Sequence, residues 1–318
     1  MHTINTILMV LLRLFTFYLG LITTFFTLSF FSIPTASFYA RLLASYGCLL
    51  LCASYGVLAS LTLRLFGKHR ISQWIVARAF YYTMAWTTGV HFEIVSGKEH
   101  LSTRPCVLIG NHQSELDVLL LGAIFPPYCS VTAKRSLRLV PFLGWFMALS
   151  GTVFIDRSNS ASAHAAFDKA AAEMRKERQS VFIFPEGTRS YAEGPEMGPF
   201  KKGAFHLAVK AGVDIVPVVA GNYWGVLSVR EKRFRGGSIP VKVLPPIPTA
   251  HLKAADVEEL TRTTREKMLK DLVALTESPM GQKATKAYVG AGEEDLARLA
   301  TPTAMASGLE QRLANPPT

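Results

Sequence analysis

Two long stretches near the N-terminus contain almost no charged side chains. Ile4 to Phe31 carries one charge, Arg13, and Leu42 to Leu63 carries none. As helices with about 1.5 Å of rise per residue, both are long enough to cross a hydrocarbon core of roughly 30 Å. Ser32-Ile33-Pro34 lies between them and favours a break. We therefore predict that residues 1–67 form a membrane-embedded helical hairpin.

The two alternatives to a spanning hairpin are a cleaved signal peptide and a shallow hairpin. A cleaved signal peptide fits poorly, because the apolar run is too long and no basic residue precedes Arg13. A shallow hairpin that enters one leaflet without crossing remains open. Lys68, His69 and Arg70 follow the second stretch, and the positive-inside rule favours a cytosolic position for them. Two crossings would return the chain to the cytosol.

Small side chains recur every four residues in the second stretch: Ala44, Cys48, Cys52, Gly56 and Ser60. Such a stripe lets membrane helices approach closely, and we expect it to face the first helix of the hairpin. The other two cysteines, Cys106 and Cys129, are scattered, and the chain has no CxxC pair. Neither a disulfide framework nor a zinc site is indicated.

The chain is strongly basic, with a formal net charge of +11, and no acidic residue precedes Glu93. A basic surface serves nucleic acid, anionic lipid or a polyphosphate ligand. No recognised nucleic-acid motif is present. Beside apolar N-terminal segments, the expected partners are therefore the lipid bilayer and phosphate-bearing ligands, with no nucleic acid.

The next segment, residues 68–89, is rich in aromatic side chains. It is predicted to form a helix over Ile71–Thr88 at the membrane surface, where Trp and Tyr are enriched. A plain buried helix fits the amphipathic pattern equally well.

Strand-like and helical patterns alternate from Val90 onward. The strand candidates are His91–Val95, Cys106–Gly110, Ser130–Ala133, Thr152–Ile155, Val181–Phe184, Ile215–Val219 and Val241–Val243. The helix candidates are Ser114–Ile124, Ser136–Leu149, Ser160–Arg178, Gly203–Ala211 and Ala255–Thr276. This alternation predicts an α/β domain at residues 90–277, with a mixed, largely parallel sheet covered by helices. Residues 278–318 are predicted to be mostly disordered, with one short helix near Glu293–Leu299.

The stretch NHQSELD, Asn111 to Asp117, follows a predicted strand. Ser114 and Asp117 have the spacing of a helix capping box. If Ser114 caps a helix, Asp117 reaches back over the cap towards His112, fixes its tautomer and supports it as a general base. The capping and catalytic interpretations are therefore compatible. Ser114 as a nucleophile is a weaker alternative, because a cap hydroxyl is occupied by backbone.

Two further strand ends carry basic residues. FPEGTRS, Phe184 to Ser190, offers a tight turn, backbone amides and Arg189, and arginine binds phosphate in a bidentate manner. FIDR ends at Arg157, and Lys134 ends another predicted strand. The carboxyl ends of strands in such sheets carry ligand sites, so these residues predict a base beside an anion site. For each motif taken alone, a solvated turn with a salt bridge is the alternative.

Other reaction chemistries lack parts. The sequence has no G-x-S-x-G elbow, no Walker A loop and no H-E-x-x-H metal pair.

Four ordered blocks resemble the glycerolipid acyltransferase family. NHQSELD matches its H-x4-D signature, and Lys134 to Arg157 contains its second block, ending in GTVFIDR. FPEGTRS is the third block, and Val216-Pro217-Val218-Val219 resembles the fourth. Within the family, the pairing of NHQSELD with FPEGTRS is most similar to the 1-acyl-sn-glycerol-3-phosphate acyltransferases.

The resemblance implies an acyl-CoA-dependent enzyme that esterifies the sn-2 hydroxyl of lysophosphatidic acid to give phosphatidic acid. Because a thioester is already activated, the resemblance implies no metal or redox cofactor. It implies His112 and Asp117 as the catalytic pair. Substrate would be bound by four residues of the third block, Glu186, Gly187, Thr188 and Arg189. Two cations outside that block, Arg157 and Lys134, would also bind it. It also implies an endoplasmic reticulum membrane location with a cytosolic catalytic domain. The alternatives are another lysophospholipid or glycerol 3-phosphate as acceptor, or a non-catalytic lipid-binding protein. The basic run Arg230–Arg235 is expected either to hold lipid or coenzyme A phosphates or to be a solvated loop.

Overall fold

A computed structural model of the chain describes residues 2–31, 33–156 and 160–285. It divides into two compact units, one of residues 41–286 and the other of residues 1–40 and 287–318. Helix α1 (His2–Phe30) and helix α2 (Pro34–Leu65) each contain a segment long and apolar enough to cross a membrane. In α1, threonine hydroxyls donate to carbonyl oxygens of the same helix, so these hydroxyls are satisfied without water.

The small-residue stripe of α2 packs on helix α3 (Ser72–Thr88). Cys48 Sγ lies 3.4 Å from Thr87 Oγ1, and Cys52 Sγ lies 3.5 Å from Thr83 Oγ1. A Cβ placed on Gly56 would lie 2.6 Å from the ring of Phe146. The prediction that the stripe faces the first helix is therefore wrong. A periodic pattern of small residues indicates close packing, but it does not identify the helix that approaches.

Helix α3 has a buried face and an exposed one. Phe80 and Met84 are buried, whereas Tyr82 and Trp86 are 59% and 74% exposed. Its single cation, Arg78, donates to the carbonyl oxygens of Gly122, Ala123 and Phe125, at the C-terminus of helix α4 (Asp117–Ile124). The helix is thus fixed to the α/β unit through one face, and its aromatic residues are divided between the two faces.

Seven strands form one sheet: β1 (Val90–Ser96), β2 (Cys106–Gly110), β3 (Cys129–Lys134), β4 (Val153–Ile155), β5 (Ser180–Ile183), β6 (Asp214–Ala220) and β9 (Gly237–Val243). Their order across the sheet is β1-β9-β6-β2-β5-β3-β4. Every neighbouring pair is parallel except β6 and β9, so the predicted mixed, largely parallel sheet is confirmed. A separate small hairpin, β7 (Leu227–Ser228) and β8 (Arg233–Phe234), was not predicted.

Helices cover both faces of the sheet. Helix α4 packs on α3 and β1, while α6 (Ser160–Glu177), α7 (Gly203–Ala211) and α8 (Val257–Glu277) enclose the main core. Alternate residues of β2 point into this core, and all five of its residues are buried. Because β2 and β5 run side by side in parallel, the loops that follow them leave from the same edge of the sheet.

Two differences between the observed and the predicted helices lie after β3 and near the C-terminus. The predicted helix Ser136–Leu149 is a 3₁₀ turn, Arg135–Leu139, followed by α5 (Leu143–Leu149). Val140 is extended, as expected for a residue before proline, and this breaks the helix. Helix α9 (Pro279–Thr285) lies in the segment predicted to be mostly disordered. Residues 286–318, with the predicted Glu293–Leu299 helix, lie outside the described residues.

Candidate active site

Asn111 locks the end of β2 to the end of β6. Its side-chain amide donates to the carbonyl of Ala220 at 2.9 Å and accepts from the N–H of Ala220 at 2.9 Å. Gln113 adds donations from its side chain to the carbonyls of Ala220 and Gly221. The first and third residues of NHQSELD thus hold the loop in place, and the residue between them is free to face the edge of the sheet.

His112 and Asp117 form a close pair. Nδ1 of His112 lies 2.6 Å from Oδ2 of Asp117, and the imidazole is 16% exposed whereas the carboxylate is 2% exposed. The imidazole stacks on Phe184, with ring centroids 4.1 Å apart and an interplanar angle of 13°. When Nδ1–H donates to Asp117, the other ring nitrogen, Nε2, carries the lone pair needed for a general base.

A tight turn brings these two residues together. Helix α4 begins at Asp117 with Leu116 as its N-cap, so the prediction that the helix begins at Ser114 is wrong. One of the two hydrogen bonds expected of a capping box is nevertheless formed in the turn, because Ser114 N–H donates to Asp117 Oδ2 at 3.2 Å. The Ser114 hydroxyl accepts from Leu116 N–H at 3.2 Å, whereas Asp117 N–H donates to the Ser114 carbonyl. The Ser114 hydroxyl is buried and engaged, which argues against its use as a nucleophile.

Tyr223 holds the other carboxylate oxygen of Asp117. Its hydroxyl donates to Asp117 Oδ1 at 2.6 Å and accepts from Ser114 N–H at 3.1 Å. Complete burial, and then the adjacent charge of Asp117, raise the pKa of Tyr223 well above its ordinary value. The hydroxyl therefore remains a hydrogen-bond donor. Sequence reasoning missed Tyr223; its only signal was a polar aromatic residue shortly after the fourth block.

Glu186 connects the two main loops through backbone groups. Its Oε1 accepts from His112 N–H at 2.7 Å, and its Oε2 accepts from Gly198 N–H at 2.8 Å. Burial raises the pKa of Glu186, and these two backbone donors act in the opposite direction. The carboxylate is directed at the backbone of the loop, which it supports, and its predicted contact with substrate stays a prediction.

The FPEGTRS loop docks on NHQSELD. Ser190 N–H donates to the His112 carbonyl at 2.9 Å, and Tyr191 N–H donates to the Gln113 carbonyl at 3.0 Å. Gly187 has a φ of +71°, a conformation that L side chains rarely adopt, and it makes the turn; the next residue, Thr188, is exposed.

Arg189 lies beside the dyad loop in an ion pair. Its guanidinium donates to Glu115 Oε1 at 3.0 Å and to the Tyr191 hydroxyl at 3.2 Å. The Tyr191 hydroxyl itself donates to Glu115 at 2.6 Å. The Arg189 side chain is 38% exposed, so it is accessible to an anionic ligand that competes with Glu115.

Lys134 lies at the same edge of the sheet, at the end of β3 and separated from β2 by β5. It lines a groove of about 850 Å³ with Arg135, Ser136, Arg138, Leu139, Ile155 and Asp156. Arg157 lies outside the described residues, so its predicted role stays a prediction.

The basic run Arg230–Arg235 is partly engaged. Arg233 stacks on Trp224 at 4.1 Å and pairs with Glu231, and Arg235 donates to the Lys283 carbonyl. Arg230 lines a cavity of about 360 Å³ that also borders Ser114, Tyr191 and Tyr223. Among residues 2–31, 33–156 and 160–285, no three His, Cys, Asp or Glu side chains are grouped to hold a metal ion. All four cysteines are free and buried.

The sequence is similar to those of known acyltransferases. Residues 94–221 match the family model described as Acyltransferase. The chain is 45% identical over 228 residues to the 1-acyl-sn-glycerol-3-phosphate acyltransferase of Saccharomyces cerevisiae, covering 72% of this chain and 75% of that protein. It is 36% identical over 251 residues to the human 1-acyl-sn-glycerol-3-phosphate acyltransferase beta, covering 79% and 88%.

A solved structure shares the fold. The crystal structure of the 1-acyl-sn-glycerophosphate (LPA) acyltransferase PlsC from Thermotoga maritima superposes with a TM-score of 0.59 at 23% identity. The match covers 77% of this chain and 96% of that chain.

Proposed function

The chain belongs to the acyltransferase family that includes these yeast and human relatives, and we propose that it transfers an acyl group from acyl-CoA to the sn-2 hydroxyl of lysophosphatidic acid. The product would be phosphatidic acid. The proposed acceptor rests on the yeast and human relatives, which are 1-acyl-sn-glycerol-3-phosphate acyltransferases. The observation that carries the chemistry is the 2.6 Å contact between His112 Nδ1 and Asp117 Oδ2 at the end of β2.

The proposed reaction is direct. His112 Nε2 takes the proton of the acceptor hydroxyl as its oxygen bonds to the thioester carbonyl carbon. The tetrahedral intermediate then expels the coenzyme A thiolate, and His112 returns the proton to the sulfur. Ser114 is engaged by Leu116 N–H and lies against Tyr223, so the site supports transfer in one ternary complex over an acyl-enzyme. A thioester is already activated, and the proposed step requires no cofactor beyond the donor itself.

Arg189 is proposed to bind the phosphate of the acceptor. Its ion pair with Glu115 is half exposed, and a phosphate dianion would compete with the carboxylate for the guanidinium. Glu186, Gly187 and Thr188 would shape the loop that presents Arg189, while Arg157 and Lys134 would add positive charge at the same edge.

Substitutions at this pair separate binding from turnover. Arg189→Gln should raise KM for lysophosphatidic acid by roughly 10- to 100-fold, because charge-assisted hydrogen bonds are lost. Glu115→Gln is the matched control; it removes the competing charge and should lower KM or leave it unchanged. An unchanged KM in Arg189→Gln would exclude Arg189 as the phosphate ligand.

The proposed location is a membrane, with the α/β unit on the cytosolic side of the endoplasmic reticulum. The two apolar helices and the membrane-resident acceptor support membrane association. In this position the site would receive lysophospholipid from the leaflet and acyl-CoA from the cytosol.

A competition assay tests the proposed acceptor. The full chain, purified in mild detergent with labelled oleoyl-CoA, is offered lysophosphatidic acid, lysophosphatidylcholine and glycerol 3-phosphate in equal amounts. Label should enter phosphatidic acid. Preferred transfer to another acceptor would identify a sister activity, and transfer to none would leave the non-catalytic lipid-binding alternative.

A further inference from the structure

Beside the site lies an unusually apolar exposed stretch. All nine residues from Lys134 to Phe142 are exposed, and Leu137, Leu139, Val140, Pro141 and Phe142 among them are apolar. Leu139 is 83% exposed. Consecutive exposed apolar side chains are disfavoured on a surface that faces water, and they mark contact with a partner or a membrane.

The apolar surface continues onto helix α5. Trp145 is 52% exposed, and its ring lies 5.1 Å from that of Phe142. The next residue, Phe146, meets α2 at Gly56, and Arg64 near the end of α2 donates to the Leu149 carbonyl at 3.1 Å. Helix α5 is therefore fixed against the last part of α2.

These contacts set the depth of α5. Gly56 and Arg64 are eight residues apart, which is about 12 Å along a helix. Over the same part of α2, Leu58, Leu61 and Leu65 are 66%, 47% and 85% exposed. If these leucine side chains contact lipid, α5 lies at the same depth as the roughly 12 Å length of α2 between Gly56 and Arg64. Tryptophan is enriched at the membrane–water interface, and Trp145 of α5 would lie there.

Cations accompany the apolar residues. Lys134, Arg135 and Arg138 are exposed on the same stretch. Arg135 lies 3.4 Å from Asp156, the acidic group of the adjoining groove, and Arg138 lies 6.0 Å from the ring centroid of Phe154. Exposed cations next to an apolar surface complement anionic headgroups above acyl chains.

We propose that the 134–145 segment (Lys134–Trp145) docks on an anionic phospholipid bilayer. Leu139, Val140, Phe142 and Trp145 contact the boundary between headgroups and acyl chains, and Arg135 and Arg138 contact lipid phosphates. Leu139 and Lys134 both line the basic groove, so docking places the groove at the membrane surface. The inference rests on the proposed membrane location of α2 and does not depend on the acyl-transfer chemistry.

Site-directed fluorescence in the full chain tests the docking. Because the four native cysteines are buried, a thiol-reactive, polarity-sensitive probe can be placed selectively at Leu139→Cys. Matched variants are Leu58→Cys on α2 and Ala250→Cys. Ala250 is exposed and follows Thr249, which bonds to the Val213 carbonyl next to the start of β6, so it marks the opposite edge of the sheet.

The chain is reconstituted in phosphatidylcholine–phosphatidylserine vesicles with brominated acyl chains, and iodide serves as the aqueous quencher. Probes at positions 58 and 139 should be quenched by the brominated lipid, and the probe at 250 by iodide. If iodide quenches the probe at 139 as strongly as the probe at 250, while brominated lipid quenches the probe at 58, the proposed docking of the 134–145 segment is wrong. The membrane location of α2 would then still hold. An aqueous probe at 58 overturns the membrane location of α2 and the inference with it.

The proposed contacts of Arg135 and Arg138 with lipid phosphates are tested separately. Arg135→Gln and Arg138→Gln should each weaken the docking equilibrium reported by the probe at 139 by about fivefold in phosphatidylserine vesicles. In vesicles of phosphatidylcholine alone the same substitutions should have little effect. Equal effects in both vesicle types would show that these cations do not contact anionic lipid.

Discussion

At the scale of single residues, Asp117 is the most heavily bonded group of the site. Its Oδ2 faces His112 Nδ1 and the N–H groups of Gln113 and Ser114, and its Oδ1 accepts from Tyr223. Burying a carboxylate is costly unless its oxygens are satisfied. The same hydrogen bonds that satisfy Asp117 also fix its position relative to the imidazole.

Tyr223→Phe tests whether this support matters for turnover. Removing the hydroxyl should lower kcat about 10-fold with KM nearly unchanged, since a hydrogen bond to a charged group is worth roughly 1.5–3 kcal/mol and part of it orients the dyad. Steady-state kinetics with lysophosphatidic acid as the varied substrate measure kcat and KM.

Tyr81→Phe is the control for that experiment. It also deletes a phenol hydroxyl, one that lies 3.5 Å from the Phe92 carbonyl. Its kcat and KM should match those of the unmodified chain. If Tyr223→Phe matches them as well, Tyr223 does not position the dyad.

Glu186 gives a stability prediction with a defined pH sign. Burial raises its pKa in the folded chain above the ordinary 4.5, so the folded state binds this proton more tightly than the unfolded state. Its stabilising contribution is fully present below pH 4.5 and is lost as the pH rises through the folded pKa. The stability of the unmodified chain minus that of Glu186→Gln should therefore fall with rising pH in denaturant titrations. A difference that rises with pH would contradict the assignment.

At the scale of elements, α2 joins the apolar N-terminal region to the sheet. Arg41 donates to the Thr88 carbonyl, Cys48 and Cys52 contact α3, and Gly56 meets α5. The α/β unit therefore covers one face of α2 from Arg41 to Arg64. Such coverage supports the shallow alternative over a hairpin that spans the bilayer, because a spanning α2 would carry its packed neighbours into the bilayer.

Gly56→Leu tests the revised partner of the stripe. A Cβ at position 56 would overlap the Phe146 ring, and overpacking of this kind typically costs about 1–3 kcal/mol. The thermal midpoint in detergent should fall, as followed by near-ultraviolet circular dichroism. Gly20→Leu in α1 is the matched control, since nothing lies within 4 Å of a Cβ there, and it should leave the midpoint unchanged. An unchanged midpoint for Gly56→Leu would contradict the packing.

Local patterns predicted most elements but not their partners. All seven sheet strands fall on β-rich runs, whereas β7 and β8 have two residues each and carry no readable alternation. His112 and Asp117 were found because they are close in sequence. Tyr223 lies 106 residues from Asp117, and only the folding of β6 beside β2 brings them together. Long-range contacts of this kind have no local sequence signal.

At the scale of the whole α/β unit, three features lie at or near one edge of the sheet. They are the His112–Asp117 dyad, the cationic groove that begins at Lys134, and the exposed apolar 134–145 segment. A lipid substrate with a phosphate headgroup requires these three properties together: a base, an anion site and access from the membrane. We propose that His112, oriented by Asp117, is this base.

The most direct test is the rate of labelled oleoyl transfer from oleoyl-CoA to lysophosphatidic acid by His112→Ala, with binding of lysophosphatidic acid measured on the same preparation. We predict that kcat falls by at least about 100-fold while the affinity for lysophosphatidic acid is retained. Normal turnover by His112→Ala would contradict it.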